Sequence, residues 1–289
     1  MKSRIITGAV LSLAAAGFIY FGNIPFAVAA LLCICFALAE EYKALRHAGY
    51  HPVAEPTWMA LAASIPLAVI FGHTVVVPIL MAASLITIGI VIFRTEQAPE
   101  TAPDSPEGPS HPPRTMLENA MMSLLPLYSI VLPGLAIVSL SQITPLSVQR
   151  VMLLMLIAVP VLGDTMAYFV GSAVGGPKFC PAVSPNKTVA GAVAGLGGSV
   201  LAAVLIRLVA GWICAPTTVL PDWILCLAIG FLGGLGSQLG DLFASMVKRH
   251  CGIKDFSEIF PGHGGMLDRM DSILFMSLVL YCCRLLFFP

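Results

Sequence analysis

The chain consists mainly of long apolar runs separated by short polar connections. A helix needs roughly 20 apolar residues to cross a bilayer, and runs near that length occupy residues 5–22, 24–40, 57–72, 74–93, 120–141, 150–170, 189–213, 222–240 and 272–288. They do not show the alternation of apolar and polar residues that is typical of a membrane β-barrel. Only 10% of all residues are charged, against about a quarter in soluble domains. We therefore predict an all-α, polytopic integral membrane protein with about nine transmembrane helices.

The positions of Lys and Arg predict the orientation, because cytoplasmic connections are enriched in both residue types. With the N-terminus in the cytoplasm, twelve of the fifteen lie on that side: Lys2, Arg4, Lys43, Arg46, Arg94, Arg114, Lys178, Lys187, Lys248, Arg249, Lys254 and Arg269. The predicted outer connections near residues 23, 73, 141–149 and 214–221 contain neither. The sequence shows no recognisable targeting extension, so we expect a bacterial inner membrane, with organellar and reticular membranes left open.

Residues 95–115 divide the chain into two predicted regions. They include six prolines and four acids, so they cannot bury apolar surface and are predicted to form a mobile cytoplasmic loop. Residues 1–94 then form an N-terminal four-span region, and residues 116–289 form a five-span region. All the chemistry that the sequence suggests lies in the second region.

Residues 245–271, the polar segment, concentrate charge near the end of this apolar chain. The segment contains four cations and four acids: Lys248, Arg249, Lys254, Arg269, Asp255, Glu258, Asp268 and Asp271. The contrast between this charged segment and the apolar remainder of the chain predicts an active site at the cytoplasmic membrane surface. The chain has zero net charge and no basic tract elsewhere, so no nucleic-acid partner is expected.

Asp241 begins a helical pattern just before the polar segment. Ser245, Lys248 and Arg249 follow it by four, seven and eight residues, so these side chains fall on one side of a helix. Asp268 and Asp271 are i, i+3 neighbours on the next helical turn. His263 lies in the glycine-rich turn before Asp268. In one interpretation it is a general base or a phosphate donor, and in the other it is a hydrogen-bonded loop residue.

Two further features precede the polar segment. Asp164 interrupts the sixth apolar run, where a carboxylate costs about 2.5 to 3.5 kcal/mol on insertion scales and therefore faces a cavity or a partner. Helix packing near the membrane surface is the alternative. Ser184, Lys187 and Thr188 lie in the following loop and are suited to bind phosphate oxygens, although such loops also contain Lys and Thr for solubility and topology.

The acids predict a divalent cation, because carboxylates brought together repel one another unless a cation neutralises them. Hard oxygen ligands favour Mg²⁺ over zinc, and the eight cysteines show no CxxC pair. A second, monovalent cation stays open. Acids for Mg²⁺ beside Lys and Arg for phosphates are typical of phosphoryl or nucleotidyl transfer, although no GxxxxGK[ST] motif is present.

The polar segment resembles the signature of the phosphatidate cytidylyltransferases, also called CDP-diacylglycerol synthases. The matching residues are Ser245, Lys248, Arg249, Lys254, Asp255, Ser257, Pro261, His263, Gly264, Gly265, Asp268, Arg269 and Asp271. A second motif also resembles this family, at Asp164, Ala167, Tyr168, Phe169, Gly171, Ser184, Pro185, Lys187, Thr188 and Gly191. The resemblance extends over residues 160–272, whereas the first 150 residues agree only in forming several spans.

The resemblance implies transfer of the cytidylyl group of CTP to phosphatidate, which gives CDP-diacylglycerol and pyrophosphate. It implies that Asp241 and Asp268 bind the metal, with support from Asp271, and that Asp164 belongs to the same site. Four cations would neutralise phosphates: Lys248, Arg249, Lys254 and Arg269. The loop containing Ser184 would close over the nucleotide. The partners are then CTP and a membrane lipid, and the glycine-rich spans are compatible with a homodimer.

Two departures keep other functions open. Asn186 stands where the family usually has Lys, and Ala190 stands where it usually has Glu, so a paralogue with another lipid acceptor is an alternative. A CTP-dependent polyprenol kinase is another, and it would release CDP. A transporter in which Asp164, Asp241 and Asp268 form an ion path is a third; the charges cluster in one cytoplasmic region rather than at the bilayer midplane, which disfavours it.

Overall fold

The computed structural model describes residue 13 and residues 16–71, 76–96, 115–213, 222–260, 262 and 264–287. We number the helices in this part of the chain α1 (Asn23–His47), α2 (Glu55–Phe71), α3 (Val76–Glu96), α4 (Met116–Pro126), α5 (Leu132–Leu140), α6 (Leu146–Val174), α7 (Val189–Ile213), α8 (Trp223–His250) and α9 (Leu267–Phe287). A π-helical turn, Leu127–Val131, joins α4 to α5.

Seven helical segments in the described residues are long and apolar enough to cross a membrane: Asn23–His47, Val76–Arg94, Met116–Leu140, Leu146–Val174, Val189–Gly211, Trp223–His250 and Leu267–Phe287. The polytopic, predominantly α-helical class is therefore confirmed. Helix α2 has only 17 residues, and the predicted run 5–22 lies mostly outside the described residues. The count of nine spans stays a prediction.

Several helices extend beyond the apolar runs from which they were predicted. Helix α8 continues ten residues past residue 240, to His250, so Asp241 and Lys248 lie on one unbroken helix. Helix α6 continues to Val174. The loop that follows is not wholly irregular, since Lys178–Cys180 (β1) and Ser184–Thr188 (β2) pair as an antiparallel hairpin.

Side-chain contacts show which helix ends lie next to one another. Tyr50 Oη lies 2.7 Å from His250 Nε2, which brings the end of α1 to the end of α8. Arg94 and Glu55 form a 3.1 Å ion pair between the end of α3 and the start of α2. At the start of α1, the Gln149 side chain donates to Asn23 Oδ1 at 2.9 Å. These contacts place the end of α1 beside that of α8 and the start of α1 beside that of α6. Which end faces the cytoplasm stays a prediction.

The predicted division at residues 95–115 falls mostly outside the described residues. Thr115 begins the next described stretch and caps α4: its hydroxyl accepts from the Glu118 N–H at 3.2 Å, and its own N–H donates to the Glu118 carboxylate at 2.8 Å. This reciprocal pair is a capping box, which explains where the helix starts. The two predicted regions are in contact, because Tyr42 on α1 donates to the Ser123 carbonyl on α4.

Helices α6 to α9 pack closely through glycines. A Cβ atom at Gly230 would lie 2.8 Å from the Val200 Cα atom on α7, and one at Gly234 would lie 2.6 Å from the Ser199 Cβ atom. A Cβ atom at Gly240 would collide with the backbone oxygen of Asp271 on α9. These glycines are therefore occupied by packing within the chain, and they give no support to the homodimer.

We expect Gly240→Ala to destabilise the protein by about 1 to 3 kcal/mol, because overpacking would force α8 away from α9. Gly197→Ala on α7 is the matched control, since no atom lies within 4 Å of its added Cβ. Alanine favours a helix over glycine by up to about 1 kcal/mol, so the control should melt at or above the wild-type temperature. Thermal unfolding in detergent measures both, and equal melting temperatures would contradict the close approach of α8 and α9.

Candidate active site

A cavity of about 780 Å³ opens among α6, the β-hairpin, α8 and α9. Eight of the residues singled out from the sequence line it: Asp164, Lys187, Thr188, Asp241, Lys248, Asp268, Arg269 and Asp271. Lys178, Asn186 and Asp255 line it as well. The two sequence motifs therefore meet in one place, although about 50 residues of α7 and α8 separate them along the chain.

Three acids in this cavity come from three different helices. Asp164 lies on α6, Asp241 on α8 and Asp271 at the start of α9. All three side chains line the same cavity. Helix packing thus brings like charges into the wall of one cavity, an arrangement that a cation or a bound phosphate-metal complex would stabilise.

Lys187 on β2 forms an ion pair with Asp241. The two side chains are 30% and 28% exposed, so both are accessible from the cavity. The pair links the hairpin to α8 and holds one cation and one anion side by side in the cavity wall.

Asp268 is more deeply buried than the other acids. Its carboxylate accepts from Lys248 Nζ at 2.6 Å and from the N–H groups of Phe256 and Gly265, both at 2.9 Å. A carboxylate has about four acceptor positions, and these contacts use three. Asp268 therefore organises the residues around it.

Thr188 ends β2 and caps the next helix. Its hydroxyl oxygen accepts from the Gly191 N–H at 3.1 Å, as N-cap threonines do. A Cβ atom at Gly191 would lie 2.8 Å from the Ala167 carbonyl oxygen, so glycine is required where α7 begins beside α6. The motif that includes Thr188 thus fixes the hairpin against the helix that presents Asp164.

Four other predicted site residues are described but do not line the cavity: Ser184, Ser245, Arg249 and Lys254. Arg249 and Lys254 are exposed to solvent, and the two serines are half-buried. His263 lies outside the described residues. Their predicted contacts with substrate phosphates stay predictions.

The sequence profile of the cytidylyltransferase family matches residues 2–287. The chain belongs to this family. The match includes the first 150 residues, where the motifs of the sequence analysis gave no resemblance.

Named relatives are similar to less than half of this chain. A phosphatidate cytidylyltransferase of Bacillus subtilis is 44% identical over 124 residues, which are 43% of this chain and 44% of the relative. One from Brucella abortus is 42% identical over 121 residues, 41% of each chain. One from Synechocystis is 40% identical over 127 residues, 44% of this chain and 40% of the relative. The chain thus spans less than half the length of these relatives in the alignments.

The two departures from the usual family pattern occupy different positions. Asn186 lines the cavity, whereas Ala190 lies in the first turn of α7 and is not among the lining residues. Asn186 therefore contributes an uncharged amide to the cavity wall, at the position where the resemblance implies a lysine.

The donor set of the cavity fits Mg²⁺. Mg²⁺ commonly binds one or two carboxylates and completes its octahedron with water and substrate phosphates. Asp241 and Asp271 offer oxygen ligands beside an open cavity, and Asp164 lies within electrostatic range. In the described part of the chain, no three Asp, Glu, His or Cys side chains are already close enough to hold a metal together, so substrate oxygens would have to supply the remaining ligands.

Cys251 lies directly after α8, next to the site. Burial raises the pKa of its thiol to about 11, so the group stays neutral at physiological pH. Cys251 therefore acts as a small packing residue rather than a nucleophile.

Two buried acids were missed by sequence reasoning. Glu40 and Glu41 lie on α1 and are 5% and 1% exposed. Glu40 contacts the residues just before α9, and Glu41 accepts from Ser129 Oγ at 2.9 Å. The sequence contained one sign of these residues, since two acids follow each other at the end of an apolar run. Because the run was predicted to end at residue 40, both acids were assigned to the membrane surface.

Proposed function

We propose that this cytidylyltransferase transfers the cytidylyl group of CTP to phosphatidate, giving CDP-diacylglycerol and pyrophosphate. The observation that carries the proposal is the cavity in which acids and cations of both family motifs meet. The names of the bacterial relatives support the same activity.

In this reaction a phosphate oxygen of phosphatidate forms a bond to the α-phosphorus of CTP. The bond from that phosphorus to the oxygen bridging to the β-phosphorus breaks, and pyrophosphate leaves with the electron pair. No covalent intermediate with the protein is needed, so the chain acts by positioning its substrates and neutralising their charge.

The lining cations are suited to that role. Lys178, Lys187 and Arg269 face the cavity and would bind phosphate oxygens of the two substrates. Lys248 is held by Asp268 at 2.6 Å, so it would act from a fixed position. Arg249 and Lys254 remain candidates for phosphates that approach from outside the cavity.

Mg²⁺ would be held by Asp241 and Asp271 together with substrate oxygens, and the charges of Asp164 and Asp268 would support the site. When bound, it would neutralise triphosphate charge and favour departure of pyrophosphate. Lys187 would keep Asp241 in place before the substrate arrives, because the two form an ion pair.

A lipid acceptor is supported by the apolar part of the same cavity. Tyr168 and Phe179 line it and are exposed, so they would contact a substrate whose acyl chains stay in the membrane. We propose a bacterial inner membrane as the location, since the named relatives are bacterial. Asn186 in the cavity wall makes a different lipid acceptor the second candidate.

The test uses purified protein in detergent with CTP labelled in the cytosine, phosphatidate, and either Mg²⁺ or EDTA. We expect labelled CDP-diacylglycerol and an equal amount of pyrophosphate, both dependent on Mg²⁺. Release of CDP and a phosphorylated alcohol from a polyprenol would instead indicate a kinase. Absence of product with phosphatidate, under conditions in which the Bacillus subtilis relative is active, would exclude this acceptor and lead to other phospholipid acceptors.

A further inference from the structure

Glu40 connects the N-terminal region of the chain to the start of α9. Its Oε1 atom accepts from Ser257 Oγ at 2.5 Å and from the Met266 N–H at 2.9 Å. Its Oε2 atom accepts from the Leu267 N–H at 2.8 Å. These partners follow Glu40 by 217 to 227 residues in the chain, so one buried side chain of α1 holds a segment of the predicted catalytic region.

The contacts satisfy groups that the helix itself leaves unpaired. The first N–H groups of a helix have no partner within it, and they attract negative charge. Helix α9 begins at Leu267, and the Glu40 carboxylate accepts from that residue and the one before it. Among the described residues no Lys or Arg forms an ion pair with Glu40, so N–H and O–H donors stabilise its charge.

Gly265 shows how closely Glu40 approaches the backbone. A Cβ atom at Gly265 would lie 2.6 Å from Glu40 Oε2 and 2.7 Å from Oε1, so a larger residue would displace the carboxylate. On its other side, the Gly265 N–H donates to Asp268 Oδ2 at 2.9 Å. This backbone segment therefore lies between Glu40 and the acid that binds Lys248.

We propose that Glu40 is a positioning residue that fixes the start of α9, and with it Asp268 and Arg269, in the cavity wall. Glu40 does not line the cavity, so it acts through these residues rather than on the substrates. The effect on backbone order is independent of the activity, whereas the effect on turnover rests on the proposed cytidylyl transfer.

Glu41 offers a matched control on the same helix. It is also buried, but its carboxylate accepts from Ser129 on the π-helical turn, and no hydrogen bond joins it to residues 257–267 in the described structure. Glu41→Gln makes the same change from a carboxyl group to an amide and keeps an oxygen that can accept from Ser129. If any buried amide on α1 disturbed the protein, both variants would be altered to a similar extent. If Glu40 positions the start of α9, only Glu40→Gln would be altered there.

The primary experiment is hydrogen exchange by mass spectrometry on the full-length protein in detergent, without substrates. In Glu40→Gln the amide NH₂ group would face the backbone donors, and loss of one hydrogen bond of this kind corresponds to an increase in exchange of about 10-fold. We expect this increase in peptides covering residues 264–268 and wild-type exchange there in Glu41→Gln. Ser257→Ala removes one of the three hydrogen bonds and should give a smaller increase, which keeps the test available if Glu40→Gln does not fold.

The second readout is steady-state kinetics. Because misplaced Asp268 and Arg269 would impair the transition state more than nucleotide binding, we expect Glu40→Gln to lower kcat by about 10-fold or more and to change KM for CTP by less than about threefold. Wild-type exchange at residues 264–268 in both Glu40→Gln and Ser257→Ala would overturn the inference, and so would equal increases in Glu40→Gln and Glu41→Gln. An inactive wild type would overturn the proposed function alone, since the exchange comparison does not need turnover.

Discussion

Asp268→Asn is expected to abolish cytidylyl transfer and to lower the melting temperature together. The carboxylate forms a 2.6 Å ion pair with Lys248, and the two side chains are only 3% and 12% exposed. An amide in its place leaves a buried ammonium without its anion, which costs about 3 to 5 kcal/mol when one partner of a buried pair is removed. The amide NH₂ group must also face either Lys248 or the backbone donors of Phe256 and Gly265.

Activity should fall by at least about 100-fold, because electrostatic groups aligned on a transition state contribute on that scale. The matched control is Glu55→Gln, which breaks the Arg94–Glu55 pair, whose side chains are about 60% exposed. Exposed pairs contribute less than about 1 kcal/mol, so both melting temperature and activity should stay close to wild type. A stable, fully active Asp268→Asn protein would show that the pair organises neither the loop nor the catalytic site.

Much of the helical architecture could be predicted from the sequence, because membrane helices leave a direct trace in long apolar runs. The alignment of Asp241 and Lys248 on one helix also followed from the spacing of their positions and is confirmed by α8. The hairpin was missed, since Ser184–Thr188 contains proline and polar residues that are typical of a loop. It forms because β1 provides a partner strand and Thr188 leads directly into α7.

Contacts between distant parts of the chain were harder to predict from the sequence. Lys248 pairs with Asp268, which lies 20 residues further along the chain. The sequence analysis had assigned Lys248 to phosphate binding and Asp268 to metal binding. Glu40 contacts residues more than 200 positions away, and no local period records such a contact. The convergence of Asp164 with Asp241 came only from the family resemblance, because helix packing rather than sequence spacing brings α6 beside α8.

Asp241→Asn tests the catalytic acids without a large effect on the fold. Unlike Asp268, Asp241 is partly exposed, and its partner Lys187 is exposed to a similar extent. A partly solvated ion pair contributes about 1 kcal/mol or less to stability. We therefore expect a melting temperature near that of the wild type, together with a loss of activity of about 100-fold or more.

The same variant separates metal binding from nucleotide binding. If Asp241 helps to hold Mg²⁺, the asparagine variant should need a higher Mg²⁺ concentration for half-maximal rate and should recover part of its activity at saturating Mg²⁺. Asp222→Asn is the control, because Asp222 lies at the other end of α8 and its side chain makes no capping hydrogen bond. It should match the wild type in rate and in Mg²⁺ dependence. Wild-type rate and Mg²⁺ dependence in Asp241→Asn would contradict a catalytic role for this acid, and a lower rate with unchanged Mg²⁺ dependence would assign it instead to the placement of Lys187.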